Sequence, residues 1–214
     1  MNVFTNPEIA DDYDDYYQTE AGKEVNHIEV QLIEAALQKV PAGKMLELGC
    51  GTGHWTEFFV EKGFDVVATD ISDAMLQHAI SKGLEAEIVK ADSGNLLFDK
   101  ESFDVVASVT MLEFVDDRDK VIDEIYRVLK PGGWLLLGCL NANSQLAQNA
   151  DNDPVFKNAA FLTPEGLTAL LSRVGTAELT SGVHFSPAFQ VTDGTAEQNN
   201  NEPAFLVALV QKIV

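Results

Sequence analysis

The sequence predicts an α/β fold in which a doubly wound, mostly parallel sheet lies between layers of helices. Three observations predict it. Short apolar runs alternate with segments of helical period, and the last two runs read as a hairpin that adds one antiparallel strand. The run Met45-Leu46-Glu47-Leu48 leads into Gly49, Gly51 and Gly53, three glycines at alternate positions, before a segment that can continue as a helix. The next apolar run, Phe64 to Asp70, ends on an acid. With 214 residues and 46% apolar content, the chain fits one domain with a sizeable core.

The elements follow in order. Asn6-Pro7-Glu8 has the form of a helix start: an Asn cap, proline at the first position and an acid in the first turn. Ile9, Tyr13 and Tyr16 fall on one stripe of that segment, largely apart from Asp11, Asp12, Asp14 and Asp15. Gly22 is read as the break before a longer helix over 23–39, with Val25, Ile28, Leu32 and Ala36 as its apolar face. His27 on that helix reads as a surface or capping residue. After the glycine turn, Trp55, Phe58, Phe59 and Val60 suit a helix packed on the sheet and closed by Gly63. Ser72 caps a further helix that Gly83 stops. Glu85 to Lys90 forms a third strand, and Phe103 to Ser108 a fourth. Arg118 to Leu129 is amphipathic on Val121, Ile122, Ile125 and Leu129, with Asp116 or Asp117 as cap. Pro131-Gly132-Gly133 ends it before the apolar strand Trp134 to Leu140. A polar connection, 141–158, is longer than usual and reads as a lid or a mobile link. A helix starting at Thr163-Pro164-Glu165 and stopped by Gly175 precedes two strands, Ala177 to Phe185 and Ala204 to Lys212, joined by a solvated loop over 193–202.

The glycine turn carries the chemistry. Alternate glycines let a backbone approach a ligand with no Cβ in the way, and such a turn aims the free N–H groups of the next helix at whatever lies above it. Glu47, an acid near the end of an apolar strand, is costly there unless it meets donors or a cation. An acid such as Asp70 at the tip of the second strand, about 20 residues past a glycine turn, takes a ribose diol in nucleotide-binding folds. A pyrophosphate turn wants a further glycine where this chain has His54, and no Lys or Arg lies between Lys44 and Lys62. The expected ligand is a nucleoside without phosphates.

Glu47-x-Gly49-x-Gly51-x-Gly53, Asp70, Ala91-Asp92-Ser93, Phe103-Asp104-Val105-Val106 and Leu129-Lys130-Pro131-Gly132-Gly133 occur in that order. Together they resemble a class I S-adenosylmethionine-dependent methyltransferase, over about residues 43–175. The resemblance implies a seven-stranded Rossmann-like sheet of order 3-2-1-4-5-7-6, with helices on both faces. It implies S-adenosyl-L-methionine as cofactor and S-adenosyl-L-homocysteine as product. The cofactor-binding set it implies is Glu47, Gly49, Cys50, Gly51, Gly53, Asp70, Ile71, Met75, Asp92, Ser93 and Val109. Ile71 and Met75 could flank the adenine or simply pack in the core. Asp92 would accept from the adenine amino group, and the run from Val109 would meet the methionine end. Many relatives carry a His pair where this chain has Glu113 and Phe114, so no histidine role carries over. Resembling enzymes often place N-terminal tyrosines as a flap over the cofactor; an acidic solvated helix held by its aromatics is the plainer reading of the same residues.

The organisation expected is one methyltransferase domain: a helical cap at 1–42, a core at 43–214, and a lid at 141–160. Fourteen basic against 34 acidic residues give a formal charge of −20. Such a field repels phosphate backbones, so nucleic acid is not an expected partner. No long apolar span is present, so neither a membrane nor export is expected, and the default address is cytoplasmic. Cys50 and Cys139 are expected to be buried thiols. The histidines, at 27, 54, 78 and 184, lack short ligand spacings, so no metal is expected. The acceptor expected is a small molecule, with polar flaps at 1–22 and 141–160 controlling access. Tyr13, Tyr16, Glu113 and His184 could serve as a base, and no spacing singles one out, so the catalytic residue is unknown. A non-catalytic cofactor-binding module and a nicotinamide-dependent oxidoreductase are the alternatives; His54 in place of the phosphate-turn glycine weighs against the second.

Overall fold

In a computed structural model, which describes residues 3–186, 190–192 and 202–213, seven strands form one sheet. They are β1 (Lys44–Leu48), β2 (Asp65–Asp70), β3 (Glu87–Lys90), β4 (Phe103–Val109), β5 (Leu129–Leu140), β6 (Ala177–Gly182) and β9 (Phe205–Gln211). Their order is β3-β2-β1-β4-β5-β9-β6. β9 runs antiparallel to both neighbours and the remaining pairs are parallel, which is the order expected, with β9 as the seventh strand of the sheet. Two short strands, β7 (His184–Phe185) and β8 (Val191–Thr192), pair with each other outside it. The long sixth strand that the sequence predicts, Ala177 to Phe185, is thereby divided between β6 and β7. Val183 sets the break: its φ is +60°, a left-handed conformation that a β-branched residue rarely takes, and its carbonyl accepts the last in-register bond with β9, from Ala204 N, before the chain turns away. The solvated loop expected over 193–202 falls, apart from Glu202, outside the described residues.

Side chains alternate across the sheet with period two, and each face has its own apolar layer. Met45, Val66, Ala68, Val105, Ala107 and Leu136 face one side. There they meet α2 (Glu20–Leu37) through Val25, Ile33 and Leu37, and α3 (His54–Glu61) through Trp55 and Phe59. Leu46, Leu48, Val67, Val106, Leu135 and Leu137 face the other. That layer is closed by α5 (Arg118–Val128) through Val121, Ile122, Ile125 and Val128, and by α7 (Pro164–Leu171) through Leu167 and Leu171. The near-continuous apolar runs of the central strands reflect burial on both sides.

The N-terminus differs from its expected form in two ways. α1 (Pro7–Asp12), capped by Asn6, passes into a 3-10 segment, Tyr13–Gln18, and Thr19 then caps α2 by accepting from Gly22 N at 2.9 Å. Gly22 therefore lies inside the first turn of α2 rather than before it. Glycine is needed there because a Cβ would fall 1.9 Å from the carbonyl oxygen of Tyr16. The fully buried stripe of α2 is Gly22, Val25, Glu29, Ile33 and Leu37, rotated by one position from the expected one; Ile28, Leu32 and Ala36 flank it, partly buried. Among the described residues no helix is long and apolar enough to cross a membrane.

Candidate functional site

The carboxyl ends of β1, β2, β3 and β4 open onto a cavity of about 320 Å³. This is the edge where open α/β sheets bind ligands, beside the point where the strand order reverses. The β1–α3 turn forms its floor. Gly49 N and Cys50 N both donate to the Thr69 carbonyl, at 2.7 and 2.9 Å, and Gly53 N closes the turn on the Cys50 carbonyl. Gly51 has φ +54°, and a Cβ on it would meet only Met75 Sδ, 4.0 Å away, so it borders open space. Gly49 is glycine for a different reason: with φ +71°, a Cβ would fall 2.3 Å from Met111 Cγ.

Asp70 stands at the tip of β2 with its carboxylate fixed by the backbone. Oδ2 accepts from Gly51 N at 2.9 Å and Oδ1 from Ser72 N at 2.8 Å. Desolvation raises its pKa, and the backbone donors pull the other way. Beside it Ile71, an isoleucine 45% exposed, offers an apolar surface on the wall. The tip of β3 supplies Asp92 and Ser93; Asp92 Oδ1 accepts from Gly94 N at 2.9 Å, in a turn closed by the Asp92–Asn95 bridge. β4 supplies Val109, then Thr110 and Met111.

Of the residues expected to bind a cofactor, Gly49, Gly51, Asp70, Ile71, Met75, Asp92, Ser93 and Val109 lie on the wall of this one cavity. Glu47, Cys50 and Gly53 stand behind it. Glu47 is 2% exposed and turned into the core, where Thr56 donates to its Oε2 at 2.6 Å; burial pushes its pKa up to about 8, so it is protonated at neutral pH. Burial likewise pushes the Cys50 thiol up, and Cys139 in β5 is buried as well; both are free. Gly53 caps α3, packed against Leu84 and Ala79.

Sequence reasoning missed other wall residues, among them Phe4 and Lys120, while Thr110 lies in the run expected at the methionine end. Thr110 has φ +51°, strained for a β-branched residue, and its N–H is held by the Gly138 carbonyl. Nothing local in the sequence signals that conformation. The N-terminal segment contributes to the cavity as well. Phe4 and Tyr13 are on the wall, and Phe4 packs edge-on against Phe114 at 4.8 Å. Ser72 Oγ donates to the Phe4 carbonyl, and Thr52 Oγ1 in the glycine turn donates to Asp14 at 2.5 Å. Tyr17 stacks on His54 at 3.8 Å. Burial lowers the His54 pKa to about 4, so the stacked ring is neutral. His27, as expected, is exposed, its Nε2 facing Gln31 on the same helix. Residues 141–160 do not line the cavity, although Phe156 stacks on Phe114 behind it.

A methyltransferase-domain family model matches residues 46–137, which contain the glycine turn and the tips of β2, β3 and β4. The chain is 32% identical over 179 residues to an uncharacterized protein of Methanocaldococcus jannaschii, a match covering 82% of this chain and 81% of that one. The chain belongs to the class I S-adenosylmethionine-dependent methyltransferases. It is also 29% identical to a malonyl-[acyl-carrier protein] O-methyltransferase of Enterobacter lignolyticus, covering 69% of this chain, and 31% identical to a ubiquinone biosynthesis O-methyltransferase of Pseudomonas entomophila, covering 56%. Those matches span 61% and 53% of the two enzymes' own lengths. Among solved structures, an S-adenosylmethionine-dependent methyltransferase of Thermotoga maritima, described as a possible histamine N-methyltransferase, superposes with a TM-score of 0.78 at 25% identity. That likeness covers 97% of this methyltransferase and 98% of the other.

Proposed function

We propose that this methyltransferase binds S-adenosylmethionine in the cavity at the ends of β1–β4 and moves its methyl group to a small-molecule acceptor. The observation that carries the reading is one cavity that joins a fixed strand-tip carboxylate to a glycine turn, an arrangement that suits a nucleoside. A fixed carboxylate, Asp70, faces it from one strand tip, and a glycine turn with no Cβ at Gly51 borders it from the next. When bound, the cofactor supplies a methyl group already activated on a sulfonium.

The chain's own residues then have defined tasks. Asp70 takes the ribose hydroxyls, Asp92 and Ser93 meet the adenine edge, and Ile71 and Met75 cover its faces. The turn from Gly49 to Gly51 and the end of β4, Val109 to Met111, hold the amino-acid end. Holding the acceptor in line can contribute about 7–11 kcal/mol to catalysis, and exclusion of water adds to it. Phe4 and Tyr13, brought onto the wall by the N-terminal segment, favour a small acceptor over a polymer, and the formal charge of −20 disfavours nucleic acid. Of the two O-methyltransferase relatives, the ubiquinone biosynthesis enzyme agrees by name with such an acceptor, and the other is named for one carried on an acyl-carrier protein.

Calorimetric titration with S-adenosylhomocysteine tests the donor half. Saturable 1:1 binding is expected, with no binding of NAD to the same preparation. Production of S-adenosylhomocysteine against small-molecule and polymeric acceptor panels tests the other half. Turnover confined to polymers would remove the small-molecule reading.

A further inference from the structure

The part of the cavity wall that follows β4 is held from behind by a buried acid. After Val109 the chain passes through Thr110 and Met111 into one 3-10 turn, Leu112–Phe114, and Met111 and Phe114 line the cavity. Met111 lies over the glycine turn, since a Cβ on Gly49 would fall 2.3 Å from its Cγ, and its sulfur accepts from Ser93 Oγ at 3.9 Å. Phe114 packs on Phe4. The position of this short loop therefore sets contacts with the β1–α3 turn, the tip of β3 and the N-terminal segment.

Glu113 is not on the wall and is 1% exposed. Its Oε1 accepts from Leu140 N, at the end of β5, at 2.5 Å, and its backbone carbonyl accepts from Ala160 N at 2.8 Å. Arg118, the first residue of α5, completes the seam. Its Nε donates to the Leu112 carbonyl at 2.9 Å and its Nη2 to the Ala160 carbonyl. These bonds tie the wall loop to β5 on one side and to Ala160 on the other.

Glu113 Oε2 is left over: among the described residues it is the one buried side-chain polar atom with no hydrogen-bond partner. A neutral carboxyl tolerates such a site far better than a carboxylate, whose charge would be buried without a donor on that oxygen. Burial accordingly pushes the Glu113 pKa up to about 7, against the pull of its backbone donors and of Arg118. The other titratable groups coupled to it are Glu29 of α2 and Cys139 of β5, both buried. The cation closest in bonding to this seam is Arg118, and its Nε and Nη2 are engaged by carbonyls. A carboxylate competes for a guanidinium more strongly than a carbonyl does. Loss of the proton thus sets Oε2 against the Leu112 and Ala160 carbonyls, and the bonds between the loop and Ala160 are the ones that give way.

We propose that Glu113 and Arg118 form a proton-controlled clamp, which positions the Met111–Phe114 wall while the Glu113 carboxyl is protonated and loosens it when that proton leaves to solvent. Glu113 is a positioning residue that acts through Met111 and Phe114. Its effect on the donor rests on the cofactor reading above, whereas the clamp itself does not.

Amide exchange, read residue by residue by NMR, tests the clamp without ligand. After correction for the intrinsic effect of pH, protection of the Ala160 amide should fall about tenfold more between pH 6 and pH 8.5 than protection of the β1 amides. In Glu113→Gln, which keeps an acceptor oxygen for Leu140 N and carries no charge, that extra fall should vanish. In Arg118→Gln it should move to higher pH, because loss of the nearby cation makes the carboxyl harder to ionise. No extra fall in the wild type, or one that survives unchanged in Glu113→Gln, would overturn the proposal. If that variant does not fold, an extra fall that keeps its midpoint in Arg118→Gln would overturn it. Calorimetry with S-adenosylhomocysteine reads the consequence for the site: affinity should drop about tenfold over the same interval in the wild type and about threefold or less in Glu113→Gln. Equal drops in the two proteins would overturn the positioning role. No binding at any pH would refute the donor reading instead, and the exchange data would still decide the clamp.

Discussion

Replacing Asp70 by alanine separates its two tasks, holding the glycine turn and holding a ligand. Its carboxylate accepts from Gly51 N and Ser72 N at 2.9 and 2.8 Å. Each such bond contributes about 1 kcal/mol net, so their loss should cost about 2 kcal/mol of stability. For a chain of this size that lowers the unfolding midpoint by about 4–8 °C. A charge-assisted contact to the ribose diol contributes about 1.5–3 kcal/mol more, but only to the complex. Calorimetry on Asp70→Ala should therefore show S-adenosylhomocysteine bound about ten- to a hundredfold more weakly, in a protein that still unfolds cooperatively. Asp70→Asn keeps one acceptor oxygen and should lose less stability while still losing affinity. A lowered midpoint with wild-type affinity would refute the reasoning, because Asp70 would then be a staple for the turn and nothing else.

Three further outcomes are expected. Gly51→Val should abolish S-adenosylhomocysteine binding in calorimetry while the fold survives, since the side chain enters open cavity space and the left-handed backbone costs only about 1–2 kcal/mol; retained binding would show that the turn is not the cradle. Thr52→Val removes the bond to Asp14, and amide exchange over residues 7–18 should quicken about fivefold, whereas S-adenosylhomocysteine should slow it in the wild type; no change in either case would detach this segment from the site. Glu29, Glu47 and Glu113 have folded pKa values raised to about 8, 8 and 7, so between the ordinary carboxylate value and those values the folded state binds protons that the unfolded state has lost. Their stabilising contribution is complete below about pH 4 and is lost as pH rises to about 8, by up to about 1.4 kcal/mol per pH unit for each group. Denaturant titrations should find the protein more stable at about pH 6 than at about pH 8.5, with a shallower slope in Glu29→Gln; stability rising over that interval would contradict the buried-acid assignment.

The features legible in the sequence were those written in local patterns. The glycine turn, Asp70 at a strand tip, and the caps Ser72 and Asp117 each depend on a few neighbouring residues, and the strand order followed from the family resemblance that those motifs carry. What was illegible depends on contacts between distant segments. Gly22 looks like a helix break, and only the approach of the Tyr16 carbonyl explains it. The positive φ of Thr110 and Val183 is imposed by neighbours, against the preference of both residues. The α2 stripe was read one position off because Ile28 and Leu32 are also partly buried, against Gly182. That shift hid Glu29, although an acid four residues from both Val25 and Ile33 is a signal that a strict four-residue count would have caught.

The measurement that bears most directly on the donor site is a crystal structure of the protein with S-adenosylhomocysteine. The ribose hydroxyls should lie on the Asp70 carboxylate, with the adenine between Ile71 and the Asp92–Ser93 turn and the sulfur toward Val109 to Met111. A ligand bound elsewhere, or one in this cavity with its ribose turned away from Asp70, would contradict the account.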